Sequence, residues 1–275
     1  MGWLITEDVD EFLGRAGGFL RADPAANTVP LTVAETARVV GTAIYDSVSF
    51  GWWTDAGRVD GAFIHTRPHT PLLTAMPEQA ARELAGLLDG VSAVNAERDV
   101  AEAFADAWAR RRGAAAAAGR VDKSNRLYRL GRLIVPDVPG KGRLATTADR
   151  DLVLDWFAAF HQELGDGVKP TPALVDDKLA IGGFVLWEDG GTPVSLAGRT
   201  RILAGMARVA PVYTPERFRR RGYGSAATAM VAQAAREAGA EEVVLFTDAA
   251  NRTSNGVYRR LGFQDIGERV LMSLA

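Results

Sequence analysis

The feature that most limits how this chain can fold is a repeated pattern. Phe50-Gly51-Trp52-Trp53-Thr54-Asp55-Ala56-Gly57 and Phe184-Val185-Leu186-Trp187-Glu188-Asp189-Gly190-Gly191 both read F-x-x-W-x-D-x-G, 134 positions apart. Each reads as an aromatic-rich strand running into a glycine-bearing tight turn. Upstream of each, Thr6-Glu7-Asp8 and Thr147-Ala148-Asp149 precede a helical pattern in the same order. Matching features in matching order imply two related copies of one unit. Between them, Val135–Gly142 holds two prolines and two glycines in eight residues, a poor interior for helix or strand. The expected division is 1–138, a linker at 139–142, and 143–275.

In the second half, Thr147 is the expected N-cap of a helix to about Leu164, with Leu152, Leu154, Trp156, Phe157 and Phe160 on it. A short helix is expected near Ala173–Ala180, and strands at Phe184–Trp187, Ser195–Leu203 and Met206–Tyr213. Ala226–Ala238 reads as a helix stopped by Gly239, Val243–Thr247 as a buried strand, Ser254–Leu261 as a helix and Val270–Leu274 as a last strand. The first half repeats this order more faintly. A first helix carries Phe12, Leu13 and Phe19, Pro77–Leu88 is a helix, Val91–Asn95 a strand, and Val100–Arg111 a helix with Phe104 and Trp108. Ala114–Ala118 suits strand or helix. Strands interleaved with helices place the chain in the α/β (α+β) class.

At 275 residues the chain has room for two medium domains. A formal net charge of −2 argues against a general nucleic-acid binder, so the runs Arg110-Arg111-Arg112 and Arg217–Arg221 need a local reading. The absence of cysteine excludes disulfides and a thiolate nucleophile. His65 and His69 have no third ligand at metal spacing, so no metal site is expected. The N-terminus lacks a basic region followed by an apolar run, and no stretch reaches the roughly 18 apolar residues of a membrane span. A cytoplasmic protein with no membrane partner is the expectation. The abundance of Ala, Gly and Arg associates it with GC-rich bacterial genomes.

Chemistry concentrates at Arg219-Arg220-Arg221-Gly222-Tyr223-Gly224-Ser225, which opens a small-residue helix. Free N–H groups converge at a helix start, and the helix dipole adds partial positive charge, so such a turn can hold phosphate. Gly222 and Gly224 permit φ > 0 and close approach of a ligand to the backbone. The bland reading is a glycine turn with solvated arginines. A Walker A loop is excluded because no Gly-Lys-Ser/Thr follows. An RNP1 box begins as Arg221-Gly222-Tyr223-Gly224 does, but Ser225-Ala226-Ala227-Thr228 lacks its stacking aromatics.

From about residue 143 onward the sequence resembles the GNAT (Gcn5-related N-acetyltransferase) family. Arg219-x-x-Gly222-x-Gly224 matches the family's Q/R-x-x-G-x-G/A. The preceding strand ends Val212-Tyr213-Thr214-Pro215, and Asn251-x-x-Ser254-Asn255-x-x-Tyr258-x-x-Leu261-Gly262-Phe263 follows the next strand. The resemblance implies two tandem GNAT-like domains, each a mixed, mostly antiparallel twisted sheet flanked by helices. It implies acetyl-CoA as co-substrate, with the backbone of Val212, Tyr213 and Thr214 meeting the pantetheine and Arg219–Ser225 the pyrophosphate. Pro211 suits the bulge that splays two strands in this family. Asn251, Ser254 and Asn255 are expected either to cap the helix or to meet the cofactor. Tyr258 is expected to be the acid that protonates the departing sulfur.

No general base is singled out among Glu163, His161, Glu188, Asp189 and Glu216, and His161 reads as structural. In the first half, Thr74-Ala75-Met76-Pro77-Glu78-Gln79 has no glycine and no arginine where the phosphate turn would fall, and Trp108 stands near the place of Tyr258. A degenerate, non-binding copy is therefore expected there. The function implied is N-acetylation of a small-molecule or protein amine, with a non-catalytic acyl-CoA sensor as the alternative. No motif identifies the acceptor or an oligomeric state.

Overall fold

The computed structural model describes residues 1–113, 119–165 and 168–274, so the question of strand or helix at Ala114–Ala118 lies outside the described residues. The chain forms two compact units, 1–127 with 247–251 and 266–275, and 128–246 with 252–265.

The first unit runs β1 (Gly2–Thr6), α1 (Val9–Ala22), α2 (Thr28–Val40), β2 (Ser47–Asp55), β3 (Arg58–Arg67), β4 (Leu72–Leu73), α3 (Glu78–Leu87), β5 (Ala93–Ala96), α4 (Arg98–Arg111), and the start of β6 (Gly119–Leu130). Asp8 caps α1, its carboxylate accepting from Asp10 N at 2.8 Å and Glu11 N at 3.2 Å. Strands β1 to β5 pair in chain order, antiparallel except for the parallel pair β4–β5. The core gathers Phe63, Leu73, Leu84, Phe104, Trp108, Val270 and Met272.

The second unit runs β7 (Lys141–Leu144), α5 (Arg150–Leu164), α6 (Pro172–Ala180), β8 (Phe184–Asp189), β9 (Thr192–Arg199), β10 (Met206–Tyr213), α7 (Tyr223–Glu237), β11 (Glu242–Asp248, its last residues grouped with the first unit), α8 (Arg252–Arg260) and the start of β12 (Phe263–Leu274), whose residues from 266 on are grouped with the first unit. Strands β7 to β11 again pair in chain order, antiparallel except for the parallel pair β10–β11. Side chains alternate across the sheet. Phe184, Leu186 and Leu196 pack with Val153, Phe157 and Val175 of α5 and α6. Val185, Ala197, Ala207 and Val209 pack with Ala227, Val231 and Ala235 of α7.

Both units therefore show the same succession of elements, and the repeated sequence pattern has a repeated geometry. The β2–β3 hairpin shifts register between Trp53 and Thr54, and the β8–β9 hairpin between Trp187 and Glu188. Each then turns through two residues of positive φ, Ala56-Gly57 and Gly190-Gly191, the backbone that a two-residue hairpin requires.

Three expectations change. The cap of the 147–164 segment is one residue earlier than Thr147: Thr146 and Asp149 form a capping box ahead of α5, with Thr146 N donating to Asp149 at 2.8 Å. The expected strand Ser195–Leu203 stops at Arg199, because Ala204 and Gly205 turn the chain tightly and Leu203 closes on Met206. Residues 139–142 are not a loose linker. Lys141 and Gly142 pair with Glu188 and Trp187, and Pro139 O accepts from Trp187 Nε1 at 2.9 Å. A Cβ on Gly142 would fall 1.9 Å from Met230 Sδ, so this glycine answers to packing. The division between the units accordingly falls at Leu127/Tyr128, and residues 266–275 join the first unit because Val270–Ser273 pair with Ala93–Ala96.

Candidate active site

The candidate site begins with β10. Its parallel pairing with β11 covers only Met206–Arg208 against Glu242–Val244. On its other edge the register to β9 shifts between Val209 and Val212, so Ala210-Pro211 form a bulge, where Pro211 was expected to place one. Proline has no N–H to give a ladder, and the bulge turns the strand's course. Val212–Thr214 thus follow the break, half-buried and beyond the stretch paired to β11, while Val212 and Tyr213 still pair with Ala197 and Leu196 of β9.

A single 3-10 turn at Glu216–Phe218 follows, then the glycine turn. Arg220 takes φ 63° and Gly222 φ 86°, and Gly222 caps α7. Gly222 O accepts from Ser225 N at 3.0 Å and Ala226 N at 3.1 Å. The five N–H groups of Arg220 to Gly224 have no hydrogen-bond partner among the described residues. Such a row of free amides at a helix start is the arrangement that binds anions. The glycines have no spare room. A Cβ on Gly222 would lie 2.9 Å from Val138 Cγ2, and one on Gly224 3.1 Å from Thr214 Oγ1.

Side chains around the turn have local work. Arg219 is not a free charge: its Nε donates to Thr214 O at 2.9 Å and its guanidinium pairs with Glu163. It staples the turn to the end of β10 and to α5. Tyr223 is buried, and its hydroxyl donates to Asp189. Ser225 Oγ donates to Gly222 O at 2.6 Å, and Thr214 Oγ1 meets Ser195 Oγ at 2.8 Å. Arg220 and Arg221 are exposed beside the free amides.

Tyr258 lies on α8, its ring edge-on to Phe263 with centroids 6.0 Å apart. It borders the same core cluster as Val212. Burial of the phenol pushes its pKa up to about 12, so it keeps its proton throughout the neutral range. Asn255 is tied into the core. It is buried, and its Oδ1 accepts from the hydroxyl of fully buried Tyr128 at 2.8 Å, which makes it an internal tie between α8 and β6. Ser254 is half-buried on α8. Asn251 is exposed, its N–H donating to Asp248 O at 3.0 Å, in the segment grouped with the first unit.

The carboxylates considered as bases are mostly engaged. Glu163 holds Arg219, Asp189 accepts from Tyr223, and Glu188 accepts from Arg143 Nε at 2.7 Å. His161 packs between the rings of Phe157 and Phe160, 5.0 and 5.2 Å away, in the structural role expected of it. Glu216 is exposed at the turn. Among the described residues no group of three His, Asp or Glu is placed to hold a metal ion, and no helix is long and apolar enough to cross a membrane. Sequence reasoning missed Lys178 and Arg208. A charged residue inside the otherwise apolar run Met206–Tyr213 was the signal available for Arg208.

Comparison with known proteins agrees with this geometry. The family described as "Acetyltransferase (GNAT) family" matches residues 150–263. No curated protein matches the sequence. Among solved structures, an acetyltransferase from the GNAT family of Colwellia psychrerythraea superposes with TM-score 0.61 at 11% identity, covering all of both chains. A GCN5-related N-acetyltransferase from Kribbella flavida gives 0.58 at 21% identity over 88% of this chain and 95% of that one. A tandem GNAT protein from the clavulanic acid biosynthesis pathway gives 0.57 at 15% identity, covering 98% and 97%. These likenesses establish a shared fold. The family match itself spans the glycine turn and α8, and it identifies residues 150–263 as a domain of the GNAT acetyltransferase family.

Proposed function

We propose that the second unit is an acetyl-CoA-dependent N-acetyltransferase acting on an amine. The observation that carries this reading is the run of five free amides from Arg220 to Gly224, set directly after a strand that parts from its neighbour. The residues suit the co-substrate: amides and dipole for a diphosphate, strand backbone at Val212–Thr214 beyond its pairing to β11 for an amide-bearing arm, and a protonated phenol at Tyr258. Acetyl-CoA, when bound, supplies an activated acyl thioester.

In this reading the chain's own groups do the following. The amides of Arg220–Gly224 fix one end of the co-substrate, and Arg220 and Arg221 add long-range attraction. The N–H of Val212, following the bulge, is the donor assigned to the acyl oxygen. A new C–N bond forms as the C–S bond breaks. The amine's proton leaves to solvent, and Tyr258 Oη gives its proton to the sulfur, whose thiol pKa of about 8.5 makes it only a fair leaving group unaided. Asn255 and Tyr128 hold α8, and hence Tyr258, in place.

The test is a thiol-release assay with acetyl-CoA against an amine library, run with Tyr258→Phe. A transferase loses rate in this variant while keeping its affinity for coenzyme A. No release with any amine class would favour an acyl-CoA sensor and remove the enzyme reading, and release unchanged by the substitution would remove Tyr258 as the acid.

A further inference from the structure

Basic side chains converge between α6 and the β9–β10 pair without enough negative charge to balance them. Lys178, near the end of α6, reaches to the sheet. Its Nζ donates to Arg199 O at 3.0 Å and makes a longer contact to Ala210 O at 3.4 Å, 5.6 Å from the Phe184 ring centroid. Ala210 is in the bulge of β10, so this ammonium stands where β10 leaves β11. Arg199 is only 6% exposed. Its Nη2 donates to Ile181 O at 2.8 Å and its Nη1 to Thr200 O at 3.2 Å, and its Nε is buried with no partner. Arg201 pairs with Asp177, and its Nε is likewise buried and unpartnered. Arg208 lies one residue from Ala207 and Val209, which face α7, so strand alternation turns it to the α5–α6 side. Among the described residues its guanidinium has no ion-pair or hydrogen-bond partner.

Arg208 and Lys178 are both half-buried, and an unpaired guanidinium partly shielded from water favours a ligand that supplies the missing charge. Shielding from water acts on both members. Desolvation first, then the nearby Arg208, draws Lys178 down to about 7, against the opposing pull of Asp177. Desolvation draws Arg208 down to about 10. Arg201 is already balanced by Asp177, and both Nη groups of Arg199 are on carbonyls, so the open fork belongs to Arg208. One planar fork beside one ammonium matches one planar carboxylate.

We propose that Arg208 and Lys178 bind the carboxylate of the amine acceptor, so that the substrate is an amino-acid-like compound. The assignment rests on the transferase reading for the word acceptor, whereas the anion site itself does not. The experiment has two arms on the full chain. In the first, thiol release is compared for amino acids, their carboxamides and phosphoethanolamine, in wild type, Arg208→Met and Lys178→Met. Each acid is expected to exceed its amide in kcat/KM at least ~10-fold, with the preference collapsing in both variants. Equal rates for acid and amide, a preference surviving in both variants, or a preference for phosphoethanolamine would overturn the proposal. In the second, sodium propionate is titrated calorimetrically. Binding weakened ~10-fold or more in Arg208→Met supports the site even if no amine turns over, an outcome that would sink the transferase reading alone. Absence of propionate binding to wild type sinks the site. Arg208→Met removes no hydrogen bond or ion pair and is expected to melt close to wild type, whereas Lys178→Met takes the donor from Arg199 O and Ala210 O and is expected to melt lower. An Arg208→Lys variant that restores part of the acid preference separates charge recognition from packing.

Discussion

The two units answer the same local question differently, at the gap between the parallel strand pair and the helix start before it. In the second unit, β10 leaves β11 after three paired residues, and the following turn presents free amides. In the first unit, β4 is two residues long, and the space beside β5 is bridged by a side chain. Arg269 is buried, with Nη2 donating to Leu73 O at 2.8 Å and Asn95 O at 2.7 Å, and Nε donating to Asn95 Oδ1 at 3.0 Å. Its turn differs as well. Thr74 Oγ1 accepts from Ala62 N at 2.8 Å, Pro77 caps α3, and Glu78 stands at the first helical position, paired with Arg82. A carboxylate there uses up the dipole that a diphosphate would otherwise feel. The lesson is that one succession of elements supports either a cleft or a plug, and a handful of side chains decides which.

The sharpest way to break this contrast is at the acid. Tyr258→Phe should lower kcat ~100-fold or more while changing coenzyme A affinity less than ~2-fold, by steady-state kinetics and calorimetry. With its pKa pushed up to about 12, the phenol should also produce no falling limb in the pH–rate profile below about pH 11. Next in size is the plug. Arg269→Met leaves two carbonyls without their donor, and should destabilise the protein by about 3 kcal/mol in denaturant unfolding, with coenzyme A affinity intact. Loss of that affinity instead would mean that the first unit contributes to binding. Gly222→Ala combines a φ of 86° with a Cβ 2.9 Å from Val138, and should weaken coenzyme A ~10-fold by displacing the amides.

The smallest expected effect is one of pH. Arg143 first, then hydrogen bonds from Thr146, hold the Asp149 carboxyl down at about 2. A depressed carboxyl stabilises the fold above its ordinary range and loses that contribution as pH falls toward its folded value. Wild type should therefore lose about 1–2 kcal/mol between about pH 5 and 2 that Asp149→Asn lacks throughout.

Much of this was legible in the letters because it is local chemistry. Trp-x-Asp-x-Gly specifies a bulged strand and a two-residue turn whatever else surrounds it. Pro211 marks the strand break by its missing N–H, and Gly222 marks the turn by its backbone. The illegible parts are long-range pairings. Nothing near Arg219 tells that Glu163, 56 residues away, will take its charge, and nothing near Asn255 points to Tyr128. The stretch 139–142 misled because a glycine packed against a neighbour is spelled like a glycine in a flexible tether. Arg208 and Lys178 were hidden for the same reason: α6 and β10 meet only in the fold.

Val270–Ser273 lie antiparallel on Ala93–Ala96, yet emerge from the ribosome after every residue of the second unit. The earlier-made region must wait, one strand short and without its arginine bolt, while the later-made one has all its own pieces. A protease present during translation should therefore be able to nick the leading portion throughout the synthesis of the second unit, until Val270–Ser273 have emerged.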